Sequence, residues 1–313
     1  MIEPWRTACA DQEGLLRRDQ VLASGLTEAT LRWRTRPGGT WQRVLPALYA
    51  TFTGELSPSQ LHRAALLHGG PTAQLTAATA TRLHGLRYAP PGTGVVDVLV
   101  DASAAAQSTG FVRVTHTTSL PRPWSVNGLP LSPVDRAVVD ASRQLRILRE
   151  VRALLCESVQ RRRTTVGHLE ACLSQGHSAG SALARRVLGD LRAGCGSAPE
   201  CEMRELFLSS EVLRDLEFNQ PVMHNGVFLG APDAQVRSLR LAFECDSREF
   251  HQLGDGPELT MQRSAGFAAG GWLMVSFSPR RIRDDPRGVL TDAERAYLSR
   301  QHDLAPDRVP AAG

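Results

Sequence analysis

Between Pro232 and His251 the chain reads PDAQVRSLRLAFECDSREFH. Val236 on one side and Leu239, Leu241, Ala242 and Phe243 on the other give apolar, strand-forming runs around Arg237-Ser238-Leu239-Arg240, the pattern of a β-hairpin. A two-residue turn at Ser238-Leu239 pairs Arg237 with Arg240 and sets Asp233 directly opposite Glu244. Cross-strand partners lie about 4.5–5.5 Å apart at Cβ, so two carboxylates placed this way repel unless a cation or a shared proton lies between them. Strand alternation also puts Glu244 and Asp246 on one face and Phe243 and Cys245 on the other. Oxygen-only donors suit Mg²⁺ or Mn²⁺ better than zinc, and such ions activate water and neutralise phosphate. His251, five residues beyond Asp246, has the side chain for proton transfer near neutral pH. A second reading stays open here: Glu244 and Asp246 as solvated strand positions, ion-paired to Arg240 and Arg248.

The 313 residues suffice for two or three domains, and 42% of them are apolar, enough for sizeable cores. No run approaches the roughly 18 apolar residues of a membrane span, and MIEPWRTACADQEG has neither a basic start nor an apolar stretch, so a cytoplasmic protein without a membrane partner is expected. Cys9, Cys156, Cys172, Cys195, Cys201 and Cys245 show no CxxC pairing, which favours free thiols over bridges or zinc. All 36 basic residues are arginine, so any mechanism that needs a lysine is excluded. Residues 1–196 hold 23 Arg against 14 acids, a net of +9, and residues 197–313 hold 13 against 18, a net of −5. A basic front and an acidic back suit different partners.

Residues 1–55 pattern as a helix-turn-helix with a β-wing. A helix over Arg17–Ser24 ends at Gly25, Thr27 caps a second helix through Leu31 and Trp33, and Pro37 stops it. Gly38-Gly39 then leads into the strand pair TWQRVLPALYAT. In a winged helix the second helix enters the major groove, which makes Arg32, Arg34 and Arg36, with Arg43 on the wing, the expected DNA contacts. Such regulators often act as homodimers on paired half-sites. From 56 to 193 the chain is mixed: Ser57-Pro58 and Ser132-Pro133 each open a helix, VVDVLVD and FVRVTHT read as strands, and the pattern is helical from Arg136. Arg161-Arg162-Arg163 reads as a solvated helix end, and His84 and His116 as structural residues.

The run GLTEATLRWRTRPGGTWQRVLPALYAT, with AALLHGG, ATATRLHGL and GLPLSPVDRAVVDAS, resembles the winged-helix and following region of AbiEi-type antitoxins of type IV toxin–antitoxin systems, over about half the chain, to residue 145. The resemblance implies operator binding for the winged helix and neutralisation of a nucleotidyltransferase-like toxin by the part that follows.

Residues 194–300 read as a self-contained module, with 301–313 as a disordered tail. Ser197 and Glu200 have the spacing of a capping box, and Glu200 and Arg204 that of an i,i+4 pair. A strand EFNQPVMH, an Asn225-Gly226 turn, the acidic hairpin, a helix near Leu259–Ala269 and a strand GWLMVSFS follow. The order is that of an α/β sandwich. Ser197, Glu200, Arg204, Asp233, the run Glu244 to His251, Arg263 and Gly271-Trp272 resemble the Vsr-like, very-short-patch-repair branch of the restriction-endonuclease-like fold. That resemblance implies Mg²⁺ on Asp233 and a catalytic histidine at His251. With the hairpin geometry it makes Asp233, Glu244 and Asp246 metal ligands, Arg263 a contact to the scissile phosphate and Glu200 a further acid of the site. The pattern departs at Asp246, where the repair enzymes carry histidine and the wider superfamily a lysine, and at Ser247, where glycine is usual. The whole is expected to be an α/β (α+β multidomain) protein: an N-terminal winged helix, a mixed middle region and a C-terminal endonuclease-like sandwich. Two functions follow: a metal-dependent DNA endonuclease, or a regulator or antitoxin whose nuclease-like domain is inactive.

Overall fold

The computed structural model describes residues 4–175, 179–246 and 257–304. It combines helices with mixed and antiparallel sheets, and the chain divides into two compact units, Met1–Arg186 and Val187–Gly313. No helix among the described residues is long and apolar enough to cross a membrane.

The N-terminal unit begins α1 (Pro4–Asp11), β1 (Leu15–Arg17), α2 (Arg18–Ala23), α3 (Glu28–Arg34), β2 (Gln42–Leu45) and β3 (Leu48–Ala50). The three strands form an antiparallel sheet in the order β1-β3-β2. Gly25, at φ +89°, takes the left-handed turn between α2 and α3, and Thr27 caps α3 by accepting from Thr30 N–H. Trp5, Leu16, Val21, Leu31 and Trp41 form a small core beneath the helices. Strand β1 is too short for its alternation to register in the sequence, yet it completes the wing sheet.

The same unit continues with α4 (Pro58–Gly69), β4 (Gln74–Leu75), α5 (Ala77–Leu83), β5 (Val96–Asp101), β6 (Val112–Thr117), β7 (Trp124–Val126), β8 (Leu129–Leu131), α6 (Val134–Gln144), α7 (Leu148–Gln160) and α8 (Val166–Ser174). Its second sheet has the order β6-β5-β4-β8-β7. One apolar cluster joins Leu45, Leu48 and Ala50 of the wing to Ala64 and Ala65 of α4 and to Val98, Val100 and Leu131 of this sheet, so the core runs across residue 55 without a break. Ser57 caps α4 as expected. Ser132 does not cap α6: Pro133 takes the cap position, and the Ser132 hydroxyl donates instead to Thr76 Oγ1 at 3.0 Å in the interior. His84 Nε2 meets the Ser132 carbonyl at 2.9 Å and His116 Nε2 the Ala104 carbonyl at 3.2 Å. Arg161 and Arg163 are not simply solvated, because each donates to a backbone carbonyl after α5, of Gly85 and His84 respectively.

The division between the units falls inside α9 (Ala182–Arg192). The C-terminal unit then runs α10 (Ala198–Leu208), β9 (Glu217–Phe218), β10 (Val222–His224), β11 (Val227–Gly230), β12 (Ala234–Val236), β13 (Leu241–Cys245), α11 (Pro257–Ala269), β14 (Leu273–Phe277), α12 (Pro279–Asp284) and α13 (Pro286–Asp303). Its main sheet has the order β14-β13-β12-β9: β9, β12 and β13 are antiparallel, and β14 joins β13 in parallel after the α11 crossover. The expected single strand EFNQPVMH is instead β9 and β10 in different sheets, separated by Asn219, whose φ of +53° breaks the extended run. Met203 and Phe207 of α10, Ile282 of α12, and Val289, Ala293 and Tyr297 of α13 pack with Ala234, Val236, Leu241 and Phe243. Ala242, two residues from Glu244, joins Val222 and Phe267 in a separate, smaller cluster. The terminal helix α13 extends through Asp303, past the residue at which a tail was expected, while 305–313 lie outside the described residues.

Candidate nucleic-acid interface and acidic site

Helix α3 presents Arg32 and Trp33 to solvent, and Arg36 is exposed in the turn just beyond its end. Trp33 is 57% exposed, and the Arg36 guanidinium stacks 4.5 Å from its ring. Thr27 at the start of the helix and the turn at Pro37 fix where these side chains emerge. Arg43 is exposed on β2. Arg34, also expected to reach DNA, differs from its neighbours: it is half-buried, with its guanidinium 5.3 Å from the Trp5 ring and 4.8 Å from the Trp41 ring. One helical step separates it from exposed Trp33, enough to turn it into the core.

The C-terminal hairpin has the expected register. Ala234 pairs with Phe243, Gln235 with Ala242 and Val236 with Leu241, which puts Asp233 at the position opposite Glu244. The turn is longer than two residues. Arg237–Leu239 form a 3-10 turn, Arg240 takes φ +45°, and its N–H closes on the Arg237 carbonyl at 3.1 Å.

Asp233 ends the loop before β12, and its Oδ2 accepts from Cys245 N–H at 2.7 Å. Burial raises its carboxyl, Glu200 and Glu244 add like-charge repulsion, and the net position is about 7, despite the opposing Cys245 hydrogen bond and the Arg263 charge. The Cys245 thiol is likewise pushed up by burial and by Asp233. Glu200 is tied down at the start of α10: Oε1 accepts from Ser197 Oγ at 2.8 Å and Oε2 from Gly196 N–H at 2.6 Å. This is a capping box shifted by one residue, since the carboxylate takes the N–H before the cap. Arg204 does not pair with Glu200; its guanidinium lies 4.8 Å from the Phe218 ring.

Glu244 does not pair with Arg240, as one reading expected, but forms a salt bridge with Arg263 of α11. Arg263 also donates from Nη2 to the Ala231 carbonyl at 3.2 Å. The helix that crosses from β13 to the parallel β14 lies over one face of both strands, which brings Arg263 to Glu244. Asp246 follows β13 with its backbone N–H on the Phe277 carbonyl at 2.9 Å, and the charges that act most on Asp233 come from Glu200, Glu244 and Arg263. His251, Ser247 and Arg248 lie outside the described residues.

Among the described residues no three His, Cys, Asp or Glu side chains gather as a metal-ligand set, so the expected trio of Asp233, Glu244 and Asp246 is not brought together. A pair of carboxylates is compatible with Mg²⁺, which keeps much of its water and takes one or two protein carboxylates. Asp233 and Glu244 fit that description: the donors are oxygen, the site carries excess negative charge, and a guanidinium already stands beside Glu244 as a cation.

No family model matches the sequence, and no curated protein matches it. Among solved structures, that of the RV2827C protein from Mycobacterium tuberculosis is similar with a TM-score of 0.40 and 14% identity, over 71% of this chain and 88% of that one.

Proposed function

We infer that this chain is a DNA-binding protein whose C-terminal unit has a Vsr-like, restriction-endonuclease-like fold and cleaves or nicks DNA with a divalent metal ion held by Asp233 and Glu244. The observation that carries the reading is the acidic pair itself. Asp233 faces Glu244 across β12 and β13, and its carboxyl stands at about 7 because burial and two neighbouring acids leave negative charge unbalanced. The order of α10, three antiparallel strands, crossover α11 and parallel β14 supports the fold assignment. The helix-turn-helix and three-stranded wing support DNA binding through Arg32, Arg36 and Arg43.

A bound divalent ion supplies charge neutralisation at the phosphate and an activated water. Asp233 and Glu244 hold it, and the Cys245 N–H fixes the direction of the Asp233 carboxylate. The resemblance assigns proton transfer to His251. The test is nicking of supercoiled plasmid in Mg²⁺ or Mn²⁺: the wild type relaxes the plasmid, and Asp233→Ala, with unchanged circular dichroism, does not. Folded wild-type protein that leaves the plasmid intact under both metals removes the reading.

A second reading, an AbiEi-like regulator without turnover, is favoured by the engagement of Glu200 with Ser197 and Gly196 and of Glu244 with Arg263. It predicts salt-sensitive binding to the protein's own promoter. Arg32→Ala combined with Arg36→Ala is expected to weaken that binding at least about tenfold and, where both contact phosphate, to lower the salt slope by about 2. Binding indifferent to both substitutions discards this role for α3.

A further inference from the structure

We propose that Arg263 is the resident cation of the acidic site, and that its guanidinium and a divalent metal ion exclude one another at Glu244. The proposal rests on the metal-site reading above and adds a control residue to it. Three features mark the position of Arg263 as built rather than incidental. Its guanidinium pairs with Glu244 and also donates to the Ala231 carbonyl. Its guanidinium packs on a glycine backbone: a Cβ at residue 230 would stand 2.5 Å from Arg263 Nε, and the φ of +147° there is one that other residues rarely adopt. Finally, Nε is buried without an acceptor among the described residues.

An arginine free to choose its own surroundings keeps all its N–H groups in water or on acceptors. Arg263 keeps this seat with Nε unmatched among the described residues, held by Glu244, the Ala231 carbonyl and the Phe267 ring 5.8 Å away, and of these Glu244 alone carries a charge. When a divalent ion takes the charge of Glu244, the guanidinium loses that partner and still carries its orphaned Nε, and the seat becomes unfavourable. Leaving it rehydrates Nε and frees the planar fork to take a phosphate oxygen pair. Binding of the ion and seating of Arg263 are therefore coupled with opposite sign, and the coupling is reciprocal.

The test is Mn²⁺ binding by the full-length protein, read from the loss of the free-ion paramagnetic resonance signal at constant pH and ionic strength. Arg263→Gln, which removes the competing charge, is expected to bind Mn²⁺ at least about fivefold more tightly than wild type, while Arg263→Lys, which keeps it, stays within about twofold. Equal or weaker binding by Arg263→Gln overturns the proposal and leaves the metal site standing. Absence of Mn²⁺ binding in both wild type and Arg263→Gln, each folded, overturns the metal site and the proposal together. A measurement on the wild type does not depend on the glutamine variant folding. The Arg263 Nε–H resonance, assigned by its loss in Arg263→Lys, is expected to shift as Mg²⁺ saturates the protein, and a resonance that does not move at saturation overturns the proposal.

Discussion

Replacing Asp140 with alanine is expected to remove about 3–5 kcal/mol from the stability of the N-terminal unit. Asp140 lies on α6 with its side chain 5% exposed, and it is the shared acceptor of a buried polar cluster. Its Oδ2 accepts from Arg136 Nε at 2.8 Å and Thr76 Oγ1 at 2.9 Å, and its Oδ1 from Arg143 Nη1 at 3.1 Å. Arg136 is nearly as buried, and desolvation already pulls the Arg143 guanidinium down. Alanine takes the shared carboxylate from Arg136, which is almost fully buried and keeps only the Thr117 hydroxyl, and from Arg143, and a buried cation that loses its counter-charge costs far more than the pair contributed. Asparagine keeps one acceptor and removes only the charge, so a smaller loss of about 1–3 kcal/mol is expected. Urea titration followed by circular dichroism measures both. The transition of the N-terminal unit moves, that of the C-terminal unit stays, and a loss below about 1 kcal/mol for alanine would show that solvent reaches the cluster.

This cluster also marks where the sequence stops being readable. Helix α6 is legible from its apolar spacing, and Arg136 and Asp140 stand at i,i+4 on it, but Thr76 lies 64 residues before Asp140 and nothing local to either indicates the other. Ser132 is the sharper case. Its Ser-Pro spacing is that of a cap, yet its hydroxyl turns to Thr76 because the β4–β8 pairing brings the two together. Local chemistry proposes a cap, and a long-range contact claims the same donor. The short strand β1 escapes the pattern for a plainer reason: three residues hardly display a period of two.

At the acidic hairpin the sequence reads better, because strand register is set by alternation within one short segment. Phe243 and Cys245 need an apolar face, so Glu244 must take the other, and Asp233 follows as its partner whether the turn holds two residues or four. The partner of Glu244 was not legible in the same way. Arg240 and Arg248 are near in sequence, but Arg240 adopts a left-handed turn conformation, while Arg263 arrives from a helix that the parallel pairing of β13 and β14 lays over the sheet. Arg34 shows the same limit on a small scale: it reads as one of three like arginines, and only the positions of Trp5 and Trp41 separate it from Arg32 and Arg36.

Asp233→Asn is expected to stabilise the C-terminal unit above neutral pH and to leave it unchanged in acid. In the folded protein burial, Glu200 and Glu244 hold the Asp233 carboxyl at about 7, whereas in the unfolded chain it returns to about 4. Below pH 4 the group is protonated in both states and adds no cost. As pH rises from about 4 to about 7 the unfolded chain gives up its proton and the folded protein retains it, so stability falls, and above about 7 the folded state carries the full cost of the buried charge. Three pH units correspond to roughly 4 kcal/mol at most. Asparagine still offers an oxygen to the Cys245 N–H and brings no charge, so a gain of about 2–4 kcal/mol at pH 8 and none at pH 4 is expected. Urea titration in chelator at pH 4, 6 and 8 measures it, with divalent ions absent so that none relieves the wild-type charge. An asparagine variant no more stable than wild type at pH 8 would mean that Asp233 is already compensated within the fold, which would take away the unbalanced charge on which the metal site depends. A gain that appears only above pH 4 would instead mark Asp233 as a charge that the fold retains at a cost to its own stability, the balance expected of a residue kept for binding or chemistry.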